Sequence, residues 1–152
     1  MFAALALSLL AVQSAAHLPA DCANAAATLE INACLSDELK RERARMDHYL
    51  ATARLMAERQ DESTVGTPEA SKQVRFLGDA QGAWEAYDKV VCKGVYDKWL
   101  GGSIRNAAAL RCHIDMTRER TFVVWRDFIA PADSSEPELP DPRTTPLIPL
   151  GR

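Results

Sequence analysis

The residues of this chain with the most constrained chemistry are its four cysteines, Cys22, Cys34, Cys92 and Cys112. None of their spacings matches a zinc knuckle, and His17, His48 and His113 are the only imidazoles available to complete a ligand set. No metal is expected on that count. An even number of cysteines in a chain read as exported points to two disulfides, which leaves no thiol as a nucleophile. The other catalytic patterns are missing: there is no Gly-x-Ser-x-Gly, no phosphate-cradling glycine loop and no His-Glu-x-x-His. The adjacent acids Asp61 and Glu62 fall in an expected loop, where nothing would desolvate them or separate their pKa values. Catalytic residues and cofactors are therefore both expected to be none, and the chain is read as one that binds a protein partner.

The remaining polar groups of interest are Glu30, Asn32 and the run Arg118-Glu119-Arg120. They lie near the expected crosslinks and are read first as a network bridging helices, because buried charges must be paired, and second as partner contacts. Trp84 and Tyr87 have the side chains of a binding anchor, but both fall on a helical apolar stripe and are read first as core. His48 and His113 are read as surface residues on charged helix faces.

The elements that must carry these groups begin with an export segment. Phe2 to Val12 is apolar without a charge, and Ser14-Ala15-Ala16 suits cleavage after Ala16, so residues 1–16 are expected to be a signal peptide. The run is too short to span a bilayer, for which about 20 apolar residues are needed, and the location expected is periplasmic or secreted. Acylation of Cys22 is rejected, since Asp21 is charged and Pro19 separates it from the apolar run.

Residues 17–130 are expected to form one all-α domain, an antiparallel three-helix bundle or hairpin. From Thr28 to about Gln60 there is no Gly or Pro, and Ile31, Leu35, Leu39, Met46, Tyr49, Ala53 and Met56 return at helical steps, with Glu42 as the one polar interruption. Lys40, Arg41, Arg43 and Arg45 mark a solvated face. Breakers at 61–67 end this helix, and Pro68 suits the first turn of the next. Its stripe is Val74, Leu77, Ala80, Trp84, Tyr87, Val91 and Val95, up to Gly101-Gly102. Gly78, Gly82 and Gly94 weaken it and predict close packing of a neighbour or a kink near Gly94. Ser103 is expected to cap a third helix with the stripe Leu110, Ile114, Thr117, Thr121, Val124 and Phe128, stopped by Pro131.

Cys92 and Cys112 lie ten residues either side of Gly102, level with each other in an antiparallel hairpin, so a bridge between them is natural. Cys22 then pairs with Cys34, which requires the chain before Thr28 to fold back, because a helix over twelve residues would separate the two by about 18 Å. Four cysteines allow three connectivities, and the other two stay open here.

The formal charge of -3 excludes non-specific nucleic-acid binding, which needs an excess of clustered Lys and Arg. Six of the eight prolines fall in residues 131–152, which also carry Asp133, Glu136, Glu138 and Asp141. That tail is expected to be disordered, for want of apolar surface to bury.

Taken in order, three blocks resemble the lysozyme-inhibitor LprI-like family of small exported bacterial proteins, over roughly Cys22 to Phe128. The first is Thr28-Leu29-Glu30-Ile31-Asn32-Ala33-Cys34 with its preceding cysteine. The second is Gln81-Gly82-Ala83-Trp84-Glu85-Ala86-Tyr87 running to Cys92. The third is Gly101-Gly102-Ser103, then Cys112 and Thr117-Arg118-Glu119-Arg120-Thr121. Where the family has Arg-Asp after the aromatic of the second block, this chain has Asp88-Lys89. The resemblance implies an exported helical protein whose partner is a lysozyme. Inhibition would place a polar or basic group against the enzyme's two cleft carboxylates, with Arg118, Arg120, Arg41, Arg43 and Arg45 as candidates. The alternative is a periplasmic structural or assembly module whose partner is not a lysozyme.

Overall fold

The structure is a computed structural model, and it describes residue 22, residues 24–133 and residues 135–146. The expected signal peptide, residues 1–16, lies outside the described residues. Three helices follow one another, α1 (Thr28–Ser63), α2 (Gln73–Lys98) and α3 (Arg105–Val124), and α3 ends in a π-helical turn, Trp125–Ile129. Among the described residues there is no strand, so the expected all-α fold holds.

α1 starts at Ala27, whose side chain can cap nothing; instead the Glu30 carboxylate accepts from the N–H groups of Ala26 and Ala27, 3.2 Å each. Its end is tied to the start of α2 by one side chain. Asp61 accepts the backbone N–H groups of Gln73 at 2.7 Å and Val74 at 3.1 Å, and so caps α2 from the last turn of α1. Asp61 is thus helical, and α2 begins five residues after Pro68 rather than at it, because the donors that need capping are those of Gln73 and Val74.

The α2–α3 turn uses Gly101 at φ +89°, a conformation that favours glycine. Ser103 does not cap α3: Ile104 precedes the helix and makes no side-chain cap. At the far end Ala130 donates to Trp125 O at 2.7 Å, an i to i−5 bond, and Pro131 then stops the helix by restricting Ala130 to extended backbone.

The core has two parts. One gathers Cys22, Leu35, Leu39, Ala107 and Ile114, and the other Tyr49, Ala53, Leu77, Val124 and Ile129. Early residues of α1 meet early residues of α3 in the first, and later residues of α1 meet the end of α3 in the second, so these two helices run parallel and α2 runs opposite to them. Thr117 and Thr121 are buried in α3 at no polar cost, since their hydroxyls donate to the carbonyls of His113 and Thr117.

Both expected disulfides are present, Cys22–Cys34 and Cys92–Cys112, with Cα separations of 5.7 and 5.5 Å. The first folds the chain before α1 back over the helix, with a turn closed from Ala25 N to Cys22 O. The second joins α2 to α3. Each closes a loop short enough to add about 3 kcal/mol in the chain-entropy account.

Two expectations about α2 need correction. The helix passes through Gly94 unbroken, and a Cβ at Gly78, Gly82 or Gly94 would meet nothing within 4 Å, so these glycines neither receive a neighbour nor make a kink. Ala80 and Tyr87 are exposed rather than core. The buried line is Leu77, Asp88 and Cys92, with Val74, Gln81, Trp84, Val91 and Val95 half-buried beside it. The apolar stripe read from the sequence mixed two faces, because polar Gln81 and Asp88 occupy inward positions.

The described part of the tail also departs from expectation. Residues 138–145 lie along the bundle: Tyr49 Oη donates to Pro140 O at 2.7 Å, Trp125 Nε1 to Leu139 O at 2.8 Å, and Leu139 packs on the core. Arg59 pairs with Glu138, and the Arg143 guanidinium sits 3.6 Å from the Phe122 ring centroid. Proline-rich chain is already extended, so it loses little entropy on docking, and its carbonyls accept from donors the helices would otherwise leave buried.

Candidate functional site

The densest group of charges lies between α1 and α3. Glu38 and Glu42, one turn apart on α1, are both almost fully buried. Arg118 of α3 spans them, its Nε donating to Glu42 Oε1 and its Nη2 to Glu38 Oε1. Each glutamate has a second cation from its own helix, Arg41 on Glu38 and Arg45 on Glu42. Arg45 reaches further, donating to the tail carbonyls of Pro142 at 3.0 Å and Thr145 at 3.2 Å. Partial burial pulls the Arg118 guanidinium down, but Glu42, Glu38 and Asp115 outweigh it and hold the group above its ordinary value. A shallow hollow of about 380 Å³ lies over this cluster, lined by Glu42, Arg45, Arg118, Pro142, Arg143 and Thr145.

Arg41 and Arg45 are therefore not members of a solvated face, and Arg118 is held by two carboxylates. Arg120 is separate from them. It is buried, with Nε donating to Gln81 Oε1 of α2 at 3.0 Å while Nη2 has no partner. Burial lowers its pKa, opposed by Asp127 alone. The Arg118-Glu119-Arg120 run thus bridges α3 to α1 through one arginine and to α2 through the other, while Glu119 is exposed. Glu30 serves the α1 start, and Asn32 is half-buried with Oδ1 unpartnered. The structure does not bring these two into the arginine cluster.

A second cleft, about 410 Å³, is lined by Arg43 and Asp47 of α1, Trp84, Glu85, Asp88 and Lys89 of α2, and His113 of α3 among others. At its base the buried Asp88 carboxylate meets His113 Nδ1 at 2.9 Å, so His113 is not a free surface residue. Asp88, Cys92 and His113 bring three ligand-type atoms together, but the Cys92 sulfur is bonded to Cys112 and cannot act as a thiolate ligand. At the rim Arg43 and Lys89 make no hydrogen bond or ion pair with other described residues, and Trp84 forms part of the wall. Sequence reasoning named Arg43 and Trp84 separately. It missed Lys89, whose position is set only when α1 and α2 pack.

These features define a class: a small, disulfide-crosslinked helical protein whose buried ionisable groups hold the helices to one another. Within that class, residues 20–123 match the model of the family described as Lysozyme inhibitor LprI, and the chain belongs to that family. Among curated proteins and among solved structures no similar chain is found. No helix among the described residues is long and apolar enough to cross a membrane.

Proposed function

We propose that this protein is exported and inhibits a lysozyme by binding it, without catalysing a reaction of its own. The family match carries the reading. Two disulfides with no free cysteine among the described residues support a location outside the cytoplasm, in the periplasm or secreted.

The binding face we favour is the cleft between α1 and α2. A lysozyme of the retaining type carries two carboxyl groups about 5–5.5 Å apart in its substrate cleft. An inhibitor must offer these a cation that is not already paired, on a surface that excludes water. Arg118, Arg41 and Arg45 are held by Glu38 and Glu42, and Arg120 is buried. Of the arginines considered, Arg43 remains, and it shares its cleft with Lys89 and the ring of Trp84.

The rate at which lysozyme clears a bacterial cell-wall suspension tests this. Added protein at micromolar concentration should slow clearing by at least one lysozyme class. Unchanged clearing across several classes would remove the reading in favour of a structural or assembly module with a different partner.

A further inference from the structure

We propose that α2 pairs with the α2 of a second copy of this chain, antiparallel, through the face turned away from its own bundle. Phe76, Ala80, Ala83, Tyr87, Val90 and Gly94 recur along this helix at steps of four, three, four, three and four. That is the spacing of a seam between two helices. All six are exposed, Phe76 at 55%, Tyr87 at 60% and Val90 at 71%. No described part of the chain covers them, and the space around Gly94 is open. An apolar line of about 27 Å on one exposed helix marks an interaction surface.

The order of sizes along the seam identifies the occupant. When two such helices run antiparallel about a twofold axis, Phe76 falls opposite the partner's Gly94, Val90 opposite the partner's Ala80, and Tyr87 opposite the partner's Ala83. Every large side chain then meets a small one, in all six layers, because the twofold repeats each pairing. A parallel, in-register pair would instead set Phe76 against Phe76 and Tyr87 against Tyr87, leaving gaps at the alanines and glycine. The flanking charges agree. Asp79 and Lys93 lie seven residues on either side of Ala86, so the antiparallel pair brings each Asp79 near the partner's Lys93. Their present partners, Arg75 and Asp97, are exposed neighbours on the same helix, so both remain available. One helix pair is a small interface, so we expect a dissociation constant on the order of 10 μM.

Sedimentation equilibrium of the oxidised protein, from about 1 to about 300 μM, tests the proposal. A monomer–dimer equilibrium is expected, weakened at least tenfold by Val90→Glu with the helical circular dichroism unchanged. Asp79→Lys and Lys93→Asp should each weaken dimerisation several-fold, and the double exchange should restore it. A monomer at every concentration, a dimer indifferent to Val90→Glu, or a double exchange that restores nothing would overturn it. None of these readouts involves lysozyme, so the result stands apart from the inhibitor reading.

Discussion

Arg118 Nε donates to Glu42 Oε1 at 2.5 Å, across 76 residues of chain. Glu42 is the one polar residue in the apolar stripe of α1, and it is almost fully buried because this contact and Arg45 satisfy both of its oxygens. Arg118 thus joins one turn of α3 to two successive turns of α1, at Glu38 and Glu42.

Arg118 and Arg120 should respond oppositely to the same substitution. Arg118→Met leaves Glu38 and Glu42 with one cation each and should lower stability by about 2 kcal/mol, less than for a fully buried pair because the guanidinium is 41% exposed. Arg120→Met removes a buried guanidinium whose hydrogen bond is to the neutral Gln81, with Asp127 acting only at longer range, and should leave stability unchanged or raise it by about 1 kcal/mol. Urea unfolding of both variants measures this.

Asp61 couples stability to pH. Burial raises its pKa, but the nearby Ser71 hydroxyl and the hydrogen bonds from the N–H groups of Gln73 and Val74 outweigh that and hold it below the ordinary aspartate value. A carboxylate depressed in the folded state contributes fully above its unfolded pKa and loses that contribution as pH falls through the folded one. Asp61→Ala should therefore lower Tm at neutral pH, and the gap to the wild type should close as pH drops below the ordinary aspartate range.

The docked tail should be measurable as stability. Tyr49→Phe removes the bond to Pro140 O and should cost about 1 kcal/mol. Deleting residues 138–152 should cost more, since it also uncovers the core around Leu139 and strips Trp125 Nε1 of its acceptor. The same deletion should shift Trp125 fluorescence to the red.

Gly78 has open space where a Cβ would stand, on a continuous helix. Gly78→Ala should raise stability by up to about 1 kcal/mol, read as an increase in Tm.

Much of the fold was legible in the sequence. The apolar steps from Ile31 to Met56 and from Leu110 to Val124 placed α1 and α3, and the equal distances of Cys92 and Cys112 from Gly102 indicated their crosslink. The misplaced core positions share one physical reason: periodicity sees apolar side chains, not polar ones satisfied by distant partners. Glu38, Asp88 and Arg120 are buried because Arg118, His113 and Gln81 reach them across helices. The tail was misread similarly, since its carbonyls, rather than its side chains, supply much of its attachment. Of the expected partner residues, Arg118 is claimed within the fold, Tyr87 stands exposed, and Trp84 borders the cleft.

Equilibrium binding to a lysozyme, compared between the wild type and the Arg43→Glu, Lys89→Glu double variant, shows whether the cleft of Arg43, Trp84 and Lys89 is the inhibitory face. Micromolar or tighter binding is expected of the wild type and at least a hundredfold loss in the variant, with Tm unchanged because neither side chain is paired with another described residue of the fold. Equal affinity of the two proteins, or no binding by the wild type to any lysozyme class, would contradict it.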